Sequence, residues 1–247
     1  MKSFLLSAAL IAAVSFPATA KTVKNTAIAN GYPYTQVPFT SVKIAHDSFW
    51  GARLKAAREV TVPLAFSKCE SEHRYKNFDM AAYTLQHPGH AGLQTPEWDV
   101  SKIMGYSFDD TDVYKTIEGA SYILQTYPDN KLRAYIDSVL TVVGAAQEPD
   151  GYLYTARTIN PEHPHQWSGA KRWTKEEDLS HELYNLGHMV DAACAHYQAT
   201  GSHKFLDIAR RYADCVCREV GAGSGQATVV PGHQIAEMAL ARLYTLT

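Results

Sequence analysis

The sequence predicts an all-α protein. Three observations carry this. Apolar residues recur at helical spacing in one stretch after another, strand-type alternation is nearly absent, and glycines stand where two of the periodic runs stop. At 46% hydrophobic and 19% charged residues, the chain excludes disorder and has enough apolar side chain for a sizeable core.

Taken in order, residues 1–20 read as a signal peptide. Lys2 gives the positive start, Phe4 to Phe16 an apolar run, and Ala18-Thr19-Ala20 follows Pro17 as a cleavage pattern. The run is shorter than the ~20 residues that span a bilayer. Export to the periplasm or the medium is therefore expected, with no membrane span. Residues 21–41 are polar and proline-punctuated, an extended lead-in. One or two helices are expected between Trp50 and Leu85. Val113, Ile117, Ala120 and Leu124 mark the next, with Asp110 and Thr111 as N-cap candidates. Leu132, Tyr135, Ile136, Val139, Leu140 and Val143 mark another. Leu183, Leu186, Val190, Ala193 and Tyr197 make a stripe stopped by Gly201, and Phe205, Ile208, Ala209, Tyr212 and Val216 one stopped by Gly221. Ile235, Met238, Ala239, Leu243 and Leu246 complete a count of about six helices. Because that stripe has no closing glycine, basic last turn or trailing proline before Thr247, the chain reads as truncated there.

Two long irregular stretches, Gln86–Phe108 and Asp150–Leu179, interrupt the helices, and loops of such length tend to carry function. The second holds Tyr152, Tyr154, His163, His165, Trp167 and Trp173. These rings either cover the edges of helix pairs or meet a ligand.

Charge narrows the function. Lys and Arg number 23 against 25 Asp and Glu, a net of −2, so no basic field exists to gather a nucleic acid backbone. Four cysteines exclude a disulfide-stapled mini-domain. Fifteen Tyr, 4 Trp and 11 His suit a neutral polar ligand such as a sugar.

The segment Ser180-His181-Glu182-Leu183-Tyr184-Asn185-Leu186-Gly187-His188 places His181, Tyr184 and His188 at i, i+3 and i+7, with Ser180 as a plausible N-cap. One helical face then carries two imidazoles and a phenol. Neutral imidazoles donate and accept, as sugar hydroxyls do. The competing reading makes them core histidines. His233 follows Pro231-Gly232 just before the last helix. None of these has the spacing of a helical zinc site, and Cys215 and Cys217 diverge at i and i+2 on one helix. Cys69 and Cys194 are isolated, so no metal ligands are identifiable. Asp110, Asp112, Asp150, Glu182 and Glu237 are carboxylates available for glycoside chemistry, although Asp110 is also explained as a cap and Asp150-Gly151 as a turn. There is no phosphate-cradling glycine loop and no Gly-x-Ser-x-Gly elbow.

Five blocks in order resemble a known family. They are Phe108-Asp109-Asp110-Thr111-Asp112-Val113-Tyr114-Lys115, Ala146-Gln147-Glu148-Pro149-Asp150-Gly151-Tyr152-Leu153, His181-Glu182-Leu183-Tyr184 with Gly187-His188, His196-Tyr197-Gln198-Ala199-Thr200-Gly201, and Pro231-Gly232-His233-Gln234-Ile235-Ala236-Glu237. Together they resemble glycoside hydrolase family 127 and its relatives in family 146, the β-L-arabinofuranosidases, over residues 42–247. The resemblance implies the N-terminal half of an (α/α)6 barrel, about six of its twelve helices. It implies exo-acting release of L-arabinofuranose, with retention, from plant-derived oligosaccharides or polysaccharides. It also implies a cysteine nucleophile held by zinc and a glutamate acid/base, all expected downstream of Thr247, so that no catalytic residue lies in this chain. His181 and His233 match the sugar-contacting histidines, with Tyr184, His188, Asp112 and Gln147 as further substrate-binding candidates. The alternatives are a non-catalytic carbohydrate-binding half-barrel, or an epimerase or unsaturated-uronide hydrolase on the same toroid.

Overall fold

A computed structural model describes residues 37–89 and 105–247. The expected signal peptide, most of the expected lead-in and much of the first irregular stretch lie outside the described residues. The described residues contain no strand, only an isolated bridge between Val220 and Ala227.

The region from Trp50 to Leu85 holds three helices rather than one or two. α1 (Phe49–Ala56) is capped by Ser48, whose Oγ accepts from the Gly51 N–H at 3.0 Å. A π turn over Ala57–Thr61 widens the helix before α2 (Val62–Ser71). Its place has a local cause, because Pro63 brings no N–H to the ladder at that point. α3 follows as Arg74–Gln86.

The predicted stripes become α4 (Asp110–Thr126), α5 (Asn130–Ala145), α7 (Glu182–Thr200), α8 (Lys204–Glu219) and α9 (Ala236–Leu246). Gly201 ends α7 in the left-handed region, at φ 72°. The irregular stretch after α5 contains one helical turn, α6 (Thr155–Thr158).

Successive helices alternate between two rows. α2, α4, α7 and α9 are neighbours in one row and α3, α5 and α8 in the other, while α4–α5 and α7–α8 join the rows. This is an arc of an α/α toroid. α7 is its centre, with α4, α8 and α9 all packed on it. Its sequence explains the position: Ala192, Ala193, Cys194 and Ala195 are small and buried, so neighbours approach it from several sides. Arg242 of α9 pairs with Asp191 of α7 at 3.2 Å and Glu118 of α4 at 3.5 Å, tying that row across its width.

The starts of α4, α7 and α9 gather at one end, where Phe108, His181 and His233 are in ring contact. Gly187 sets the closest approach. A Cβ there would lie 2.6 Å from Ile235 Cγ2 and 2.9 Å from the Ala236 nitrogen, so only glycine lets α9 begin directly on α7.

Candidate functional site

At this common rim stands a cluster of rings. His181 occupies the N-cap of α7 in the left-handed region (φ 59°, ψ 32°), with no side-chain cap of its own. The sequence reading placed the cap at Ser180. The structure instead uses Glu176, whose carboxylate accepts from the Glu182 N–H at 2.7 Å and the Leu183 N–H at 3.1 Å. Ser180 turns its hydroxyl toward Glu182 (2.9 Å) and Glu176 (3.2 Å). The His181 carbonyl accepts from the Asn185 backbone N–H at 2.9 Å and from Asn185 Nδ2 at 2.7 Å. This fixes the residue while leaving its ring unspent, and the buried Nδ1 has no hydrogen-bond partner.

His233, exposed before α9, meets the His181 ring edge-on at 5.0 Å and the Tyr184 ring at 5.2 Å. Tyr184 also contacts His188 edge-on at 4.5 Å. From α4, Lys115 Nζ donates to the Tyr184 hydroxyl at 2.6 Å. Thus residues of α4, α7 and the loop before α9 converge, and the helical spacing of His181, Tyr184 and His188 does form one face.

Burial, the Lys115 ammonium and His233 push His188 down to about 4. Burial and then His233 lower His181. Both imidazoles are therefore neutral near pH 7, each with a donor and an acceptor nitrogen. Such imidazoles can hydrogen-bond hydroxyls, and the Lys115 ammonium beside them donates to the Tyr184 oxygen.

Asp112 and Gln147 are not brought into this cluster. Asp112, half-exposed on α4, pairs with Arg74 Nε at 2.8 Å. Gln147 is consumed as a clamp. Its Nε2 donates to the carbonyls of Gly151 (2.8 Å) and Ile208 (2.9 Å), and its Oε1 accepts from Arg211 at 2.7 Å.

The N-cap reading of Asp110 also changes. Asp109 holds the cap position, and buried Asp110 starts the helix. Asp110 accepts from Thr155 N–H at 2.9 Å and Oγ1 at 2.6 Å, anchoring α6 on α4. Asp150-Gly151 does form the expected turn, with Gly151 at φ 97° and Asp150 Oδ1 accepting from the Tyr152 N–H at 3.1 Å. Glu182 is buried and accepts from Tyr152 Oη at 2.6 Å and the Trp173 N–H at 2.9 Å. Lys115 and Phe108, whose ring lies 5.2 Å from that of His181, belong to the cluster but are not among the sequence candidates. Each stands in the Phe108–Lys115 block, and only their partners on α7 reveal their role.

One group of metal-ligating residues has converging donor atoms among the described residues. Asp150, Cys215 and Glu219 bring theirs within 4.8 Å. It does not fit zinc, because a guanidinium fills it. Arg172 Nη1 lies 2.6 Å from both Asp150 and Glu219, and Nη2 lies 2.6 Å from Glu148. Burial and the nearby Glu219 raise the Cys215 thiol to about 12, far from thiolate. Cys217 is exposed while Cys215 is buried, as their helical offset requires. Arg172 also lines a cleft of about 590 Å³ with Arg157, Lys171 and Arg218, which shares no residue with the ring cluster.

The fold and the rim define a class: an α/α-toroid protein whose helix starts gather imidazole and phenol side chains at one rim. Residues 41–247 match the family model of the "Beta-L-arabinofuranosidase, GH127 catalytic domain", and the chain belongs to that family. It is 38% identical over 143 residues to a non-reducing end beta-L-arabinofuranosidase of Bifidobacterium longum subsp. longum, a match covering 58% of this chain and 21% of that protein. A solved GH127 beta-arabinofuranosidase superposes with a TM-score of 0.76 at 64% identity, covering 85% of this chain and 31% of that one. A GH127 beta-L-arabinofuranosidase from Geobacillus stearothermophilus T6 gives 0.69 at 35% identity, covering 81% and 29%. The chain thus spans under a third of the length of each of these relatives.

Proposed function

We propose that this chain supplies the sugar-contacting wall of a retaining β-L-arabinofuranosidase acting on terminal L-arabinofuranose of plant-derived glycans. The observation that carries the proposal is the convergence of His181, Tyr184, His188 and His233 at one rim, with an unpartnered His181 Nδ1 facing no internal acceptor or donor. In this reading residues 42–247 are the N-terminal half of the catalytic barrel. Residues 1–20 direct export to the periplasm or beyond.

The chemistry of this wall is recognition. Neutral His181 and His188 offer ring nitrogens to sugar hydroxyls, and exposed His233 flanks them from the α9 side. Lys115 donates to the Tyr184 oxygen, so the phenolic proton is free to point at a sugar oxygen. This reading takes the nucleophile and its zinc from the part of the relatives' length that this chain does not span.

The test uses the product of the complete reading frame that contains this sequence. Release of L-arabinose from methyl β-L-arabinofuranoside, with loss of that activity on chelation, supports the proposal. Saturable binding without hydrolysis supports instead a carbohydrate-binding half-barrel. Reading the coding sequence past Thr247 distinguishes the two independently, since a continuing frame with a cysteine-rich motif belongs to the hydrolase.

A further inference from the structure

The long loop after α5 divides its aromatic residues. Tyr152, Tyr154 and Trp173 are buried in the core, which answers why they are there. His165 and Trp167 are not: both are half-buried at the rim. They continue a chain of ring contacts leading out of the histidine cluster. His181 stacks on Phe108 at 5.2 Å with planes 26° apart, and Phe108 stacks on Tyr106 at 5.3 Å and 12°. Tyr106 meets Trp167 at 5.7 Å and 33°, and Trp167 meets His165 edge-on at 5.3 Å. Tyr106 remains 52% exposed.

We propose that Tyr106 and Trp167 form an aromatic shelf for the sugar unit to which the terminal arabinofuranose is linked, a leaving-group subsite for a neutral glycan. The inference rests on the reading of the rim given above and extends it outward by one unit.

Three features support a carbohydrate occupant. The first is continuity, since the stack begins at His181 itself. The second is the nature of the surface. Every member is an uncharged ring, His165 being held toward its neutral form by burial, and near-parallel ring faces match the apolar C–H face of a sugar. An anionic unit would find no cation among these rings. The third is rigidity. The Tyr106 N–H donates to Asp109 Oδ2 at 3.1 Å, and Ser107 Oγ donates to the Leu179 carbonyl at 2.7 Å. The Trp167 N–H donates to His165 Nδ1 at 3.2 Å, and the His165 N–H to the Ala156 carbonyl at 2.9 Å. The guanidinium of Arg157 holds the carbonyls of Gly169 and Ala170 just beyond. Rings fixed before binding lose little freedom when a ligand arrives, which is how a shallow surface gains affinity.

The experiment compares two probes by calorimetric titration: methyl β-L-arabinofuranoside, and a disaccharide carrying the same terminal sugar on a second arabinofuranose. The wild-type chain is expected to bind the disaccharide about three- to tenfold more tightly, the range one or two aromatic contacts provide. Tyr106→Ala and Trp167→Ala should each remove much of that advantage, whereas Tyr106→Phe, which keeps the ring, should retain it. Melting curves of the three variants, read beside the titrations, separate loss of the shelf from loss of the fold. Equal affinity of the wild type for both probes overturns the shelf. So does a parallel loss for both probes in folded Tyr106→Ala. Failure of the methyl glycoside to bind at all overturns the sugar reading of the rim itself.

Discussion

His233 stands edge-on to His181, ring centroids 5.0 Å apart and planes at 87°, although one precedes α9 and the other begins α7. The contact exists because both helices start at the same end of one row, and because Gly187 lets α9 seat directly on α7. The arrangement is therefore a product of backbone geometry, and the two imidazoles are brought together with hydrogen-bonding capacity to spare.

The first prediction concerns those imidazoles. His181→Asn keeps a side chain tolerant of the left-handed backbone, and His233→Ala truncates an exposed ring. Each should weaken binding of methyl β-L-arabinofuranoside by about three- to tenfold, the loss of one or two sugar hydrogen bonds at ~0.5–1.5 kcal/mol each. Urea unfolding should change little, since the His181 Nδ1 makes no internal bond. A large loss of stability with unchanged affinity would make them core histidines.

Gly187→Ala should act on fold and site together. The added methyl meets Ile235 and the Ala236 backbone, so α9 must shift, at a cost of about 1–3 kcal/mol. Denaturant titration measures the cost. Sugar affinity should fall with it, because His233 moves with α9.

For His188 the folded value is depressed to about 4 against about 6.5 in the unfolded chain. The unfolded chain takes the proton first. The contribution of His188 to stability is therefore complete above about pH 6.5 and declines as pH falls toward 4. Ring-proton NMR should show His188 still neutral at pH 5.5. A midpoint near 6.5 would contradict the buried, cation-flanked environment.

Glu176 behaves in the opposite sense. Burial, and next the charge of Glu182, raise it to about 7. The folded state thus holds a proton that the unfolded chain releases at lower pH, so this contribution is present below about pH 4.5 and is lost as pH rises through 7. The Glu176→Gln variant should lose stability overall, as one of two capping bonds to α7 is broken. Its stability should nonetheless fall less than the wild type's between about pH 4.5 and 7. Unfolding at both pH values decides the sign.

Much of the fold was legible in the sequence, and the reason is periodicity. Val113, Ile117, Ala120 and Leu124 are all buried on α4, as are Ile136, Val139, Leu140 and Val143 on α5. The first helices were harder to divide, since the π turn before Pro63 and the polar texture of α3 blur the apolar period. The pairing of His181, Tyr184 and His188 followed from spacing on one helix. The α7 cap did not, because Glu176 reaches it from a preceding turn that no local cap motif announces. Lys115 was missed for the same reason: its partner Tyr184 lies on another helix. Asp112 and Gln147 have suitable chemistry, but Arg74 and Arg211 claim their side chains, and only the packing of neighbouring helices shows that.

The central claim is that the rim of α4, α7 and α9 binds a terminal arabinofuranoside through neutral histidines. Its most direct test is NMR of the histidine-labelled chain during titration with methyl β-L-arabinofuranoside. The account predicts that the ring signals of His181, His188 and His233 move together and saturate, while those of His196, buried between α7 and α8 away from the rim, stay fixed. Binding that leaves these three rings unmoved, or no binding at millimolar sugar, would contradict it.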